Sequence, residues 1–189
     1  MTLSLIWRVL YYAWLAGEVL ILVVTRTRRG GGKVSDRGSL VLLWVVIVAA
    51  ASLSGWVEGA LGENMFGGAD WLKTVALAVL VAGLAIRWGA VISLGRAFSA
   101  NVAIRQTQHL HKTGLFRLVR HPSYLGLMIV FLAAGIRARN WYSLAIILVL
   151  PLAALLYRIH VEEAALREAF GEEYIAYSGE TKRLVPFIY

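Results

Sequence analysis

The chain has 189 residues, 59% of them hydrophobic and 16% charged, a balance too apolar for a soluble domain of this length and suited to a membrane protein. Its 19 Lys and Arg against 11 Asp and Glu give a net charge of +8; in a bilayer such cations set orientation and meet anionic headgroups, which argues against a nucleic-acid partner. The absence of cysteine excludes a disulfide framework, a thiolate metal site and a cysteine nucleophile.

A hydrocarbon core about 30 Å thick needs about 20 apolar residues in a helix rising about 1.5 Å per residue. Leu3 to Val24, Leu40 to Val57 and Trp71 to Leu94 meet that requirement. The first is longer than a signal-peptide core and is followed by the basic run Thr25 to Arg29 instead of a small-residue cleavage pattern, so it is expected to remain as a span. The loop after it holds Arg26, Arg28, Arg29, Lys33 and Arg37. Its GGK tripeptide is a flexible basic turn and not a phosphate loop, since Val34 stands where Ser or Thr is needed and no strand precedes it. The next loop offers Glu58, Glu63 and Asp70 and no cation before Lys73. The positive-inside rule therefore puts the first loop in the cytoplasm, and alternation puts Gly95 to His121, with Arg96, Arg105, Lys112, Arg117 and Arg120, on the same side.

Pro122 to Ile136 and Trp141 to Tyr157 are shorter apolar segments joined by Arg137 to Asn140, expected to thin the bilayer locally or to form a tight hairpin. From Arg158 to Phe170 the pattern becomes a charged amphipathic helix, with Leu166 and Phe170 on one face and Gly171 suited to its C-terminal cap. A polar tail with Tyr174 and Tyr177, ending in Leu184, Val185 and Pro186, is expected along the membrane surface, folded back on the preceding loop. Trp7, Trp44, Trp56, Trp71, Trp88 and Trp141 read as interfacial anchors. The fold class is thus all-α: a polytopic membrane protein of about five transmembrane helices with a cytoplasmic C-terminal amphipathic helix. Residues 1–189 form one domain, with three spans in 1–95 and a loop, helical hairpin and tail in 96–189.

Glu18 and Arg87 lie inside spans, where a charge is costly unless paired or facing an aqueous cavity. No G-x-G-x-x-G follows a strand, so a nucleotide-like cofactor must be held by something other than a Rossmann fold. His109, His111, His121 and His160 fall in a loop or at helix ends, unlike the histidines of haem or di-iron membrane proteins, and no metal is expected. Pro122 suits a first helical turn, which puts His121 at a helix mouth whose unpaired N–H groups attract an anion. Arg117 and Arg120 add positive charge there, and Ser123 adds a hydroxyl. Arg158, Glu162 and Glu163 emerge on the same side, with Arg158 and Glu162 four residues apart. A cation binder and an anion binder can then converge on one zwitterionic molecule at the membrane surface.

G-L-F-R-L-V-R-H-P-S-Y-L-G from Gly114 to Gly126, R-I-H-V-E-E from Arg158, F-G-E-E-Y-I-A-Y from Phe170 and L-V-P-F-I from Leu184 together resemble the isoprenylcysteine carboxyl methyltransferase family and its phospholipid methyltransferase relatives. The match covers about the C-terminal half, and the chain resembles the compact five-span form of prokaryotic members, which implies a prokaryotic plasma membrane with the site facing the cytoplasm. The resemblance implies S-adenosyl-L-methionine as cofactor, contacted by Gln108, His109, Leu110 and His111, by Phe116, by His121, Pro122, Ser123 and Tyr124, and by Glu162. It also implies that Arg158 faces the substrate. Phe116 replaces the tyrosine common at that place, removing a hydroxyl.

Methyl transfer from a sulfonium is an in-line displacement, so the protein chiefly aligns the partners and excludes water. An ionised carboxylate acceptor needs no base, and Arg158 would orient it. An amine acceptor would need one, with Glu163 or His160 as candidates. The expected acceptor is a lipophilic small molecule or a prenylated chain, reached from the membrane lipids. Two further readings stay open at this point: an NADPH-dependent oxidoreductase like the membrane sterol reductases, which share an R-H-P-x-Y-x-G stretch, and a non-catalytic membrane scaffold.

Overall fold

A computed structural model of the chain describes residues 2–25, 33–34, 36, 38–64, 69–100, 103–104 and 109–186. Gln108 lies outside these residues, as do Arg26, Arg28, Arg29, Arg37 and Arg105.

Six helices account for most of the described residues: α1 (Leu3–Thr25), α2 (Ser39–Leu61), α3 (Trp71–Leu94), α4 (Pro122–Ala138), α5 (Trp141–Phe170) and α6 (Glu172–Glu180). Four of them, α1, α2, α3 and α5, are long and apolar enough to cross a membrane. The 17 residues of α4 rise only about 25 Å, short of a full hydrocarbon core. Two-residue strands β1 (Lys33–Val34) and β2 (Ala103–Ile104) pair antiparallel, Lys33 opposite Ile104. This ties the loop after α1 to the loop after α3 on one face of the bundle.

Two boundaries differ from the sequence reading. The last span and the charged segment after Tyr157 are not separate helices: α5 runs unbroken for 30 residues, about 45 Å, so its C-terminal part extends beyond a hydrocarbon core of about 30 Å. Going from Leu155 to Glu163 changes the solvent each residue prefers but not its helix propensity, so the backbone continues. The tail after Gly171 contains a further helix, α6, which its polar composition does not announce. Gly171, at φ 51, supplies the left-handed residue that separates α5 from α6.

Helix α3 packs along α4, α2 along α5, and α4 and α5 form an antiparallel hairpin, whereas α1 rests on α3. The α3–α4 contact is close because Gly83 and Gly126 face it: a Cβ on Gly126 would lie 2.5 Å from the backbone nitrogen of Arg87. Small residues permitting backbone approach are the usual device of membrane helix pairs, where apolar burial gives no net drive. Asn140 caps α5, accepting from the backbone N–H groups of Tyr142 and Ser143, and closes the hairpin with Arg139, which adopts φ 55. Trp14, Leu80, Leu84, Leu127, Phe131 and Leu155 form the core. Val9, Tyr12, Val23, Val41, Val48, Ile92 and Val149 are exposed on the outside of the bundle, where lipid tails solvate them.

Within the bundle, the two intramembrane charges find one another. Arg87 donates through Nε and Nη2 to both carboxylate oxygens of Glu18, at 2.9 and 2.7 Å. Trp14 adds an indole N–H to Glu18 at 3.0 Å.

Candidate active site

The polar residues of the C-terminal half converge where α4 begins and α5 leaves the bundle. His121 is the N-cap of α4, with Pro122 at the first helical position. One helical turn on, the Tyr124 hydroxyl donates to Glu162 Oε2 at 2.7 Å and accepts from Arg158 Nε at 2.9 Å. The α4 mouth and the acidic stretch of α5 are therefore in direct contact, with His121 Nδ1 3.8 Å from Glu162.

Behind this contact lies a charge cluster. Arg120 Nε bonds Glu163 Oε1 at 2.9 Å, while Arg167 and Arg183 reach Glu163 Oε2 at 3.2 and 3.1 Å. Burial alone would raise the Glu163 carboxyl, but the adjoining His121 ring and Arg120 guanidinium more than offset it and hold the group at about 2. Arg120 also donates to the carbonyl oxygens of Ser178 and Thr181. The chain after α6 runs back beside the loop: the backbone N–H groups of Arg120 and His121 donate to the carbonyls of Lys182 and Arg183 at 2.7 and 3.0 Å. Tyr177 donates to the Phe116 carbonyl at 2.6 Å. Burial pushes the Tyr177 phenol up to about 12 and raises that of Tyr174, where Glu163 adds to the effect. Both stay protonated.

These segments enclose a cavity. His109, Leu110 and His111 line one side, with the His111 ring edge-on to Phe116 at 5.0 Å between centroids. Phe116, His121, Pro122, Ser123, Tyr124 and Glu162 line the rest, together with Arg120, Leu166, Tyr174 and Tyr177. The structure thus brings nine of the ten residues that the resemblance assigns to the cofactor around one space; Gln108 is outside the described residues. The buried Tyr174 hydroxyl has no hydrogen-bond partner at this site, and buried His121 Nε2 makes only a long approach to Glu163 Oε1, at 3.5 Å. His160 is exposed and does not line the cavity. Glu163 is 1% exposed and engaged by three arginines behind the cavity wall, a geometry that leaves it a positioning role more readily than that of a base.

A second cavity lies between α1, α2 and α4, lined by apolar groups such as Ile21, Leu22, Leu40, Trp44 and Leu127. Glu18, Arg87 and Arg158 are its charged lining, and it shares Phe98, Ser99 and Tyr124 with the first. Arg87 also donates to the Ser123 hydroxyl, linking the intramembrane pair to the first cavity. The Arg158 guanidinium is more occupied than the sequence indicates. Besides Tyr124 it bonds Asp36 Oδ1 and Ser39 Oγ, each at 2.9 Å, and the Ala100 carbonyl.

Residues 75–168 match the model of the isoprenylcysteine carboxyl methyltransferase family, and this segment contains the α4 mouth, Arg158, Glu162 and Glu163. Over this segment, about half of its length, the chain is similar to that family. It is 31% identical over 121 residues to protein-S-isoprenylcysteine O-methyltransferase B of Arabidopsis thaliana, covering 62% of this chain and 61% of the relative. It is 29% identical over 154 residues to the protein-S-isoprenylcysteine O-methyltransferase of Mus musculus, covering 73% and 50%. The chain thus spans about three-fifths of the length of the plant relative and half that of the animal one. A solved eukaryotic intramembrane Ras methyltransferase of this family shares the fold with a TM-score of 0.62 at 24% identity, over 77% of this chain and 52% of that one. The relatives are named as protein-S-isoprenylcysteine O-methyltransferases.

Proposed function

We propose that this protein transfers a methyl group from S-adenosyl-L-methionine to the carboxylate of a lipophilic, isoprenylcysteine-like acceptor at the cytoplasmic face of a membrane. The observation that carries the reading is the adjacency of two unlike cavities, one of mixed polarity and one mainly apolar, sharing Phe98, Ser99 and Tyr124 as a common wall. A water-soluble donor and a lipid-soluble acceptor need such a pair of sites.

The first cavity fits the donor on its own chemistry. The buried Tyr174 hydroxyl awaits a partner there, and Glu162 supplies an anion at the rim for a cationic group. His111 and Phe116 offer aromatic surface, and the first turn of α4 favours an anionic one. When bound, the cofactor supplies an electrophilic methyl on a sulfonium. The chain's own part is alignment. Tyr124, held between Glu162 and Arg158, fixes the wall through which the two reactants meet. Ser123 accepts from Arg87, which leaves its hydroxyl proton free to donate into the first cavity. Arg158 offers the acceptor carboxylate a guanidinium whose present anionic partner is Asp36, so binding exchanges one carboxylate for another. A carboxylate is ionised at neutral pH and needs no base. The β1–β2 pairing supports the cytoplasmic face, because it joins two loops whose sequences are rich in Lys and Arg.

The test is to titrate the detergent-purified protein with S-adenosylmethionine and follow thermal stability, then assay methyl transfer from labelled cofactor to an S-farnesylated cysteine derivative. Stabilisation by the cofactor and a base-labile methyl ester on the acceptor are expected. A protein that the cofactor does not stabilise, or label recovered on a lipid amine, would overturn the reading.

A further inference from the structure

The acceptor cavity ends inside the bundle against aromatic rings, and a second space continues beyond them. On α1 the acceptor cavity uses Trp14, Glu18, Ile21 and Leu22, and the space beyond uses Trp7 and Tyr11. On α2 the corresponding residues are Leu40, Leu43, Trp44 and Ile47, followed by Ala51, Ser54, Gly55 and Glu58. Each set continues a single helical stripe of three- and four-residue steps. The two cavities are therefore consecutive stretches of one cleft between α1 and α2, helices that rest on α3 and α5 and are not packed closely on each other.

What divides the cleft is Trp14. It is 3% exposed and stands edge-on to Phe131 of α4, with ring centroids 6.1 Å apart and planes at 84°. Tyr11 closes in behind it at 5.5 Å. The Trp14 ring is also held from its polar edge, because its N–H donates to Glu18 and Glu18 is locked by Arg87. Turning the ring aside would break that bond inside the bundle.

Resting on the reading of this cavity as the acceptor site, we propose that Trp14, backed by Phe131, sets the longest hydrocarbon chain the acceptor can carry. From Leu22 back to Trp14 is eight residues of α1, about 12 Å of helix, which an extended chain of about ten bonds would fill. Carried on to Trp7, fifteen residues from Leu22, the cleft is about 22 Å long and would hold about nineteen bonds. A farnesyl tail reaches the partition, whereas a geranylgeranyl tail overruns it. Replacing Trp14 by a small residue joins the two cavities and admits the longer tail.

The experiment compares S-geranyl, S-farnesyl and S-geranylgeranyl derivatives of N-acetylcysteine, scoring binding by thermal stabilisation and turnover by ester formation, on wild type, Trp14→Ala, Trp14→Phe and Phe131→Leu. Wild type is expected to lose about tenfold or more in kcat/KM from the farnesyl to the geranylgeranyl acceptor. Trp14→Ala abolishes that difference and Trp14→Phe, which keeps an aromatic partition, retains it. Phe131→Leu leaves the Glu18–Arg87–Ser123 bonds untouched, so its cofactor affinity stays within about twofold of wild type. Phe131→Leu thins the partition from the opposite helix, so a poorly folded Trp14→Ala still leaves a variant in which the cut-off must relax. An unchanged order of the three acceptors in every folded variant overturns the proposal and leaves the methyltransferase reading intact. Length-dependent binding without ester formation does the reverse, and a wild type that neither binds nor methylates any of them sinks both.

Discussion

Arg120 and Glu163 hold the candidate site together more than their sequence context suggests. Arg120 joins the loop before α4 to α5 and to the end of α6, and Glu163 gathers Arg120, Arg167 and Arg183. Glu163→Gln removes the anion that pairs the buried Arg120 and the partly exposed Arg167 and Arg183, and is expected to destabilise the folded state by about 3 kcal/mol, read from chemical unfolding in detergent. The pH dependence has a definite sign. The folded carboxyl is held at about 2 against an ordinary value of 4.5, so its stabilisation is complete above that ordinary value and is lost as pH falls from there towards about 2. That acid-labile component should be missing from unfolding curves of the Gln variant. Arg158→Lys keeps the charge but loses the planar fork that meets Tyr124, Asp36 and Ser39 together. Its kcat/KM should drop by about tenfold or more while cofactor affinity changes by about twofold at most; normal turnover would remove Arg158 from the acceptor site. Arg158, Glu162 and the α4 mouth were legible because they share short linked motifs. Asp36 was not, since its contact with Arg158 spans 122 positions, and no local pattern marks a lone aspartate in a basic loop as a partner for it.

At the level of elements, composition locates helices where apolar runs have sharp ends. Trp71 to Leu94 is read with the bounds the structure gives it, and Pro122 opens α4 as a first-turn proline should. The reading fails where polarity changes within one helix, as at Tyr157 in α5, and where a short polar helix is held by tertiary contacts, as α6 is through the buried Tyr174 and Tyr177. The contact that positions α4 is testable. Gly126→Ala would place a methyl within 2.5 Å of the Arg87 backbone nitrogen, forcing α3 and α4 apart at a cost of about 1–3 kcal/mol. Because Arg87 and Ser123 bond across that contact, cofactor affinity should fall together with stability, which calorimetry and an unfolding titration would report side by side.

For the whole molecule, the number and order of the spans follow from hydropathy, but their neighbours do not. An apolar stripe states that a helix face is buried and not by what, so nothing in the sequence says that α2 lies on α5 instead of α1. Charge is more informative, because Glu18 and Arg87 each demand a partner and the bundle supplies one to the other. The same arrangement bears on ion tightness. Ionisable groups stand on both sides of the Trp14–Phe131 pair, Glu18, Arg87 and Arg158 on one and Glu58 and Arg137 on the other, and the two rings are the seal between them. Liposomes carrying Trp14→Ala should dissipate an imposed proton gradient faster than those carrying wild type, as a trapped pH dye would show. On this account a bulky ring deep in the bundle also keeps its host membrane from leaking.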